Sequence, residues 1–255
     1  MKSSNTTPSR RAFLGFAAKG AVSVVVSQSL LACGASGLTD SSTTSSDPAP
    51  ASNSTTCVGT ASLTEGPYFV DEKLLRSDIR ADTSNGVLAA GVPLTLRFNV
   101  SRIANSACTP LTGAYLDVWH CDAAGIYSDV SGNGSSGRKF LRGYQITDAN
   151  GAVEFTTVYP GWYSGRAVHI HFKLRLFVGS TKTYEFTSQF FMDEALTSIV
   201  HATSPYSTRG QRNTLNSTDG IYNSLSTAAK AALTLATTKT TGGYAGVINL
   251  GVAVA

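Results

Sequence analysis

The sequence predicts a mainly β protein, a β-sandwich of short, mostly antiparallel strands with long loops and one or two short helices near the C-terminus. Two observations predict this fold. Short stretches in which apolar and polar residues alternate recur along the chain, and glycine-rich or polar turns separate them. Charged residues make up only 14% of the 255 residues, and glycine, with 24 copies, is abundant. Such a composition is typical of secreted β-rich proteins.

About six strands are expected before any helix. The alternation in residues 92–100 is typical of a half-buried strand, and the turn at 148–151 predicts a hairpin between the strands that flank it. The predicted strands are residues 92–100, 114–120, 141–147, 152–158, 168–178 and 183–192. Asp193 is expected to cap a helix over 194–200, residues 226–237 predict a second helix, and residues 244–254 return as a strand.

The first 33 residues resemble a twin-arginine export signal, with Arg10 and Arg11 before a moderately apolar run. The protein is therefore expected in the periplasm, at the cell surface or outside the cell. Residues 30–33 resemble a bacterial lipobox, in which a lipidated Cys33 would attach the protein to a membrane. The alternative is cleavage near Ala32 and a free protein. Residues 34–56, rich in Ser, Thr, Pro and Ala, predict a disordered tether, and residues 57–255 the folded domain.

Beyond residue 33 the chain is electrically balanced. Four of the 20 basic residues precede that point and none of the 16 acidic residues does, so the remainder carries equal numbers of both. This balance gives no electrostatic reason to expect a nucleic-acid partner.

Three cysteines follow the lipobox. In an oxidising compartment two of them are expected to pair. A bridge between Cys57 and Cys108 would join the start of the domain to a loop between strands and leave Cys121 buried and free. Spacing alone leaves all three single-bridge pairings open.

Two of the four histidines, His169 and His171, lie two residues apart on the predicted strand 168–178. Residues i and i+2 of a strand share a face, so both imidazoles project together while Ile170, Phe172 and Leu174 face the core. Two adjacent imidazoles form a chelate for iron, copper or zinc. A pair of surface histidines is the alternative that this motif leaves open.

The other two histidines have structural interpretations. His120 shares the face of its apolar strand neighbours and is expected to be a hydrogen-bonded core residue, whereas His201 is expected to face solvent or to end a helix. Trp119 and Tyr144 are expected in the core, and Asp219 in a turn.

Four motifs occur in order along the chain: VWHCDAAGIY at 118–127, LRGYQITD at 141–148, YPGWY at 159–163 and RAVHIH at 166–171. Together they resemble the intradiol ring-cleavage dioxygenases, non-haem ferric enzymes that open catechols. The likeness runs from about residue 63 to residue 222. The short spacing between Tyr163 and His169, and the tether in place of an N-terminal helical segment, resemble the secreted, short branch of that family. We expect a monomer or a weak dimer.

The resemblance implies a role for each matching residue. One Fe(III) per chain would be held by Tyr127, Tyr163, His169 and His171. The implied catalytic residues are Tyr163, the tyrosinate that substrate displaces, Arg166, a cation near the ring, and Gln189, beside the iron. The implied substrate-binding residues are Pro67, Tyr68, Trp162 and Arg166.

The implied reaction inserts both atoms of O2 between the two hydroxylated carbons of a catechol and gives a cis,cis-muconate-type product. Catechol and O2 would be the partners of the chain. The alternative is a non-catalytic, secreted β-sandwich binding module, which would hold no metal and tolerate Tyr127→Phe. A cupin-type copper or Fe(II) site is disfavoured, because the first glutamate after His171 is Glu185.

Overall fold

The computed structural model describes residues 58–105 and 107–254, and within them the fold is mainly β, as predicted. Nine strands are described: β1 (Pro93–Ala104), β2 (Ala107–Pro110), β3 (Tyr115–Trp119), β4 (Arg142–Ile146), β5 (Ala152–Val158), β6 (His169–Val178), β7 (Thr181–Phe191), β8 (Thr237–Lys239) and β9 (Tyr244–Val252). Three short helices come late: α1 (Glu194–His201), α2 (Gly220–Ser224) and α3 (Thr227–Leu233).

The strands form two sheets. The four-stranded sheet has the order β4-β3-β6-β7 and is antiparallel throughout. In the five-stranded sheet, β1 pairs antiparallel with β2 and β5 and parallel with β9, which in turn pairs with β8. The parallel β1–β9 pair is the exception to the antiparallel pattern.

The core lies between the sheets. Leu96 and Phe98 of β1 are fully buried and belong to the same cluster as Ile170 and Phe172 of β6. The rings of Phe98 and Phe172 have centroids 5.9 Å apart. Burying such a side chain stabilises the fold by roughly 1.5–3 kcal/mol. Because the apolar residues of β6 must face this core, the residues that alternate with them, His169 among them, are directed to the opposite face.

The predicted hairpin between β4 and β5 is wrong. The turn itself forms, since the Asp148 carboxylate accepts the N–H groups of Asn150 and Ala152 at 2.9 and 2.7 Å. However, β4 pairs with β3 in one sheet, whereas β5 pairs with β1 in the other. A tight turn reverses the chain but does not select a partner, and here the chain crosses from one sheet to the other.

The predicted cap of the first helix is present, and the second predicted helix is shorter than expected. Asp193 accepts the N–H of Leu196 at 2.8 Å and caps α1. The third helix stops at Leu233, because the following backbone pairs with β7 and Leu235 donates to the carbonyl of Phe191 at 2.8 Å. α2 and the short strands β2 and β8 were not predicted; β2 is exposed along its whole length and has no alternation to recognise.

Residues 63–78, called the strap below, cross the outer face of the four-stranded sheet. Backbone hydrogen bonds fasten both ends of the strap, from Leu63 to Thr187 and between Leu74 and Tyr144. An ion pair between Asp71 and Arg175 at 2.9 Å adds a tie in the middle. The strap thereby covers the face on which the two histidines of β6 lie.

The predictions for residues 1–57, which include the export signal, Cys33, the tether and Cys57, fall outside the described residues. Cys108 is disulfide-bonded, and Cys121 is free and buried. No helix in the described part of the chain is long and apolar enough to cross a membrane.

Candidate active site

Two tyrosines and two histidines converge beneath the strap. The Nε2 atoms of His169 and His171 are 3.0 Å apart. The phenol oxygens of Tyr127 and Tyr163 lie 3.4 and 3.3 Å from the same Nε2 atom of His169. Four polar atoms from three separate segments thus surround one small volume.

Two loops in close contact bring the tyrosines together. Tyr127 follows β3, in a loop folded around Asp122, whose carboxylate accepts the N–H groups of Ala124 and Ile126 at 2.9 Å. Tyr163 precedes β6 in a second loop. The loops touch where Gly161 meets the first one, and a Cβ on Gly161 would overlap the carbonyl oxygen of Asp122. A glycine is therefore required at this approach.

The surroundings orient both imidazoles. His169 donates its Nδ1–H to the carbonyl of Ala167 at 2.6 Å, which leaves the lone pair of Nε2 directed at the cluster. The ring of His171 is stacked on Trp119, with centroids 4.9 Å apart and planes within 6°. On the strap, a Cβ added to Gly66 would lie 3.5 Å from Cε1 of His171, so the strap backbone packs against this ring.

Burial keeps these groups neutral in the absence of a cation. Burial and, to a smaller extent, the positive charge of Arg166 lower the pKa of His169 to about 3. Burial also lowers the pKa of His171 far below the usual range of a histidine. It raises the pKa of Tyr127 far above the usual range of a tyrosine. The pKa of Tyr163 rises to about 12 through burial, although Arg166 opposes the rise. All four groups lie close enough to a single guanidinium to feel its charge.

The donor set fits a metal ion. The single lone pair on Nε2 of His169 can accept one hydrogen bond, yet two phenols and a second imidazole nitrogen crowd around it. A cation in their midst would satisfy all four donors and favour loss of the phenolic protons. No group of three or more His, Cys, Asp or Glu side chains in the described chain could hold a metal, so a four-donor centre there requires the tyrosines.

A polar network adjoins the cluster. Arg166 donates to the side-chain oxygen of Gln189 at 2.6 Å and to Asp219 at 2.8 Å. Gln189 is fully buried on β7, directly opposite His171 in the sheet register. Asp219, expected only as a turn residue, is also fully buried. No local motif predicts its pairing with an arginine 53 residues earlier in the chain.

Of the predicted substrate-binding residues, Tyr68 contacts the cluster, whereas Pro67 and Trp162 lie in other surroundings. Tyr68 on the strap stacks on Tyr127 with centroids 4.5 Å apart and meets Tyr163 edge-on at 5.9 Å. Pro67 beside it is exposed. Trp162 packs instead against the main core, and the guanidinium of Arg209 lies 4.9 Å from its ring centroid.

Arg142, which the sequence did not single out as functional, anchors Tyr68. Its buried guanidinium donates to the carbonyl of Tyr68 at 3.3 Å and to the hydroxyl of Ser128 at 2.7 Å. It therefore connects the strap to the residue that follows Tyr127.

The other two histidines have the structural roles expected of them. His120 is a satisfied core residue, bonded to the carbonyl of Cys121 at 2.8 Å and to Thr157 at 2.7 Å. His201 ends α1 as expected but does not face solvent, because it is buried against Tyr206 and donates to the carbonyl of Pro160 at 3.0 Å.

The fold and the cluster define a β-sandwich protein whose buried centre combines two phenol oxygens with two imidazole nitrogens. Comparison with known proteins agrees with this class. The family model described as a dioxygenase matches residues 64–205. A catechol 1,2-dioxygenase from Acinetobacter lwoffii is 28% identical over 150 residues, which are 52% of this chain and 46% of that protein. The chain thus matches about half the length of this relative.

Two solved structures extend the likeness over the domain. An intradiol ring-cleavage dioxygenase from Tetranychus urticae is 28% identical, with a TM-score of 0.66 over 77% of this chain and 95% of that one. The dioxygenase domain of a dioxygenase–carbohydrate-binding fusion from Streptomyces sp. SirexAA-E is 25% identical, with a TM-score of 0.54 over 78% of this chain and 100% of that one. This chain belongs to the intradiol ring-cleavage dioxygenase family.

Proposed function

We propose that this chain holds one ferric iron through Tyr127, Tyr163, His169 and His171 and uses O2 to cleave a catechol between its hydroxylated carbons. The observation that carries the proposal is the convergence of two phenol oxygens and two imidazole nitrogens, with both phenols within 3.4 Å of one nitrogen. Membership of a family of non-haem Fe(III) enzymes supports the same metal and the same class of substrate.

The four side chains suit ferric iron chemically. Two phenolates would contribute two negative charges and hard oxygen donors, and two neutral imidazoles would complete the set without adding charge. A trivalent cation lowers the pKa of nearby phenols enough to overcome the effect of burial. When bound, the ferric ion would draw electron density from a catecholate and make its ring reactive towards O2.

Burial separates the roles of the two tyrosines. Tyr127 is fully buried and stacked beneath Tyr68, so it is the permanent anchor. Tyr163 is half-buried, and the residue that follows it, Ser164, is exposed. We assign Tyr163 as the phenol that gives way to substrate, with its oxygen accepting a proton from a catechol hydroxyl.

The remaining site residues bind and orient the substrate. Arg166 lies near all four donors and is held by Gln189, so it would stabilise negative charge that develops on the ring. Tyr68 presents an aromatic face beside both tyrosines. The strap backbone packs against His171 and covers that side of the site.

The test is iron content, colour and oxygen uptake of the purified full chain. The wild type should contain one iron per chain, show tyrosinate-to-iron charge-transfer colour that shifts on adding catechol, and consume one O2 per catechol. Tyr127→Phe and His169→Ala should lose most of the colour and activity. Tyr144→Phe is the matched control, because that half-buried tyrosine stacks on Tyr115 of the same sheet, away from the cluster.

Two results would overturn the proposal. Wild-type protein from iron-replete cells that is colourless and iron-free would favour the binding-module alternative. If Tyr127→Phe retained the colour and turnover of Tyr144→Phe, the ligand assignment would be wrong.

A further inference from the structure

We propose that Asp219 is a positioning residue that orients the guanidinium of Arg166 towards the reacting ring. This inference rests on the proposed function and adds a residue from the C-terminal part of the domain to the site. Asp219 is fully buried at the start of α2. It reaches Arg166 across 53 residues of sequence, which is why no motif reveals the pair.

The two carboxylate oxygens of Asp219 have separate tasks. Oδ1 accepts the N–H groups of Ile221 and Tyr222 at 2.8 and 2.9 Å and caps α2. Oδ2 accepts Nε–H of Arg166 at 2.8 Å and the backbone N–H of Ala167 at 2.8 Å. Burial alone would raise the pKa of this carboxyl, but these hydrogen bonds lower it overall. Asp219 is therefore an ionised, fully hydrogen-bonded partner for the arginine.

Arg166 is held at two points. Asp219 binds its Nε edge, while Nη2 donates to the oxygen of Gln189 at 2.6 Å. Gln189 in turn donates to the carbonyl of Thr64 on the strap at 3.4 Å. Within the described residues, Nη1 makes no hydrogen bond. A planar guanidinium fixed along two edges has one orientation, and the remaining edge is available to an anionic substrate.

The charge of Asp219 matters as well as its shape. The Arg166 side chain is 17% exposed, so it is partly removed from water and needs a counter-charge to remain in one place. Without Asp219 the guanidinium would be tied only to Gln189 and free to turn towards solvent. Loss of a group that orients a metal ligand typically costs about 10- to 100-fold in activity, and we expect an effect of the same order for a group that orients Arg166.

Asp219→Asn separates the two tasks, because asparagine remains a good helix cap but removes the negative charge. We expect kcat/KM for catechol to fall about 10- to 100-fold, with the charge-transfer spectrum of the resting enzyme unchanged. The matched control is Asp193→Asn, which alters the cap of α1 and touches no residue of the site. Its kcat/KM should stay within about 2-fold of the wild type.

Two further measurements distinguish positioning from a general structural effect. In an Arg166→Gln background, adding Asp219→Asn should lower kcat/KM by less than about a further 3-fold, because two changes that act through the same residue are not additive. In the full-length protein, phenylglyoxal should modify Arg166 faster in Asp219→Asn than in the wild type, as measured by peptide mass spectrometry. This readout depends on neither activity nor iron.

Additive losses, a changed charge-transfer spectrum or wild-type activity in Asp219→Asn would each refute the positioning role. If Asp219→Asn does not fold, Asp219→Ser, which also caps helices, takes its place. If both variants unfold, the pair serves folding and the inference is wrong. A wild type without iron or oxygen uptake would refute the proposed function itself, whereas an active wild type with an equally active Asp219→Asn refutes only this inference.

Discussion

Acidification should destabilise the folded domain through His120, a buried residue outside the cluster of two tyrosines and two histidines. Its Nδ1 contacts the carbonyl of Cys121 at 2.8 Å and must therefore carry the proton, so Nε2 accepts from the hydroxyl of Thr157 at 2.7 Å. The second bond links the four-stranded sheet to the end of β5 in the other sheet. Both nitrogens of the neutral ring are hydrogen-bonded, and a second proton would place a charge in the core.

The size of the effect follows from the two pKa values. Burial lowers the pKa of His120 to about 4 in the folded chain, against 6.5 for an unperturbed histidine. Between these values the unfolded chain binds a proton that the folded chain does not. The stabilisation is therefore complete above pH 6.5 and is lost as the pH falls towards 4. At about 1.36 kcal/mol per pH unit, the loss totals about 3 kcal/mol.

Urea unfolding of the wild type and His120→Asn between pH 7 and pH 4.5 measures the pH-dependent contribution of His120 to the free energy of unfolding. At pH 7 the variant should be less stable by about 1–3 kcal/mol, because the hydroxyl of Thr157 loses its acceptor. Between pH 7 and pH 4.5 the difference in stability should shift by about 2.4 kcal/mol in favour of the variant, because asparagine does not titrate. The other titrating groups are common to both proteins, so their contributions to the difference in stability cancel. A gap that stays constant across this pH range would show that His120 does not remain neutral in the fold.

Two further predictions concern the loop that carries Tyr127. Gly161→Ala should lower the free energy of unfolding by about 1–3 kcal/mol and reduce bound iron, because its Cβ would lie 2.6 Å from the carbonyl oxygen of Ala123. Gly242→Ala, which meets open space, is the control; equal thermal stability and iron content in both variants would contradict this account. Burial raises the pKa of Cys121 to about 12, so iodoacetamide should alkylate it at pH 8 only after unfolding. Rapid alkylation of the native protein would show that the thiol is accessible.

Local patterns were sufficient for much of the four-stranded sheet. The alternation across β6 predicted that His169 and His171 share one face, because Ile170 and Phe172 have only the core in which to bury their side chains. The strand boundaries came within a few residues for the same reason. The cap at Asp193 was also local, since a carboxylate and the N–H groups it accepts lie within one turn.

The remaining features depend on contacts between distant segments. Whether β5 pairs with β4 or β1 is decided by which sheet buries it, and alternation is the same in either case. The burial of His201 depends on a carbonyl 41 residues earlier. The pairing of Asp219 with Arg166 spans 53 residues, and neither residue's neighbours in sequence indicate it.

The order of motifs predicted the family, and the resemblance implied the four donors, while the two-residue period of a strand placed His169 and His171 on one face. Only the folded chain decided how those donors meet. The close approach of Gly161 brings the two tyrosine loops together, the strap covers one side of the cluster, and a buried carboxylate from the C-terminal region binds the arginine. These are products of packing, in which each contact exists only when segments far apart in sequence are brought together.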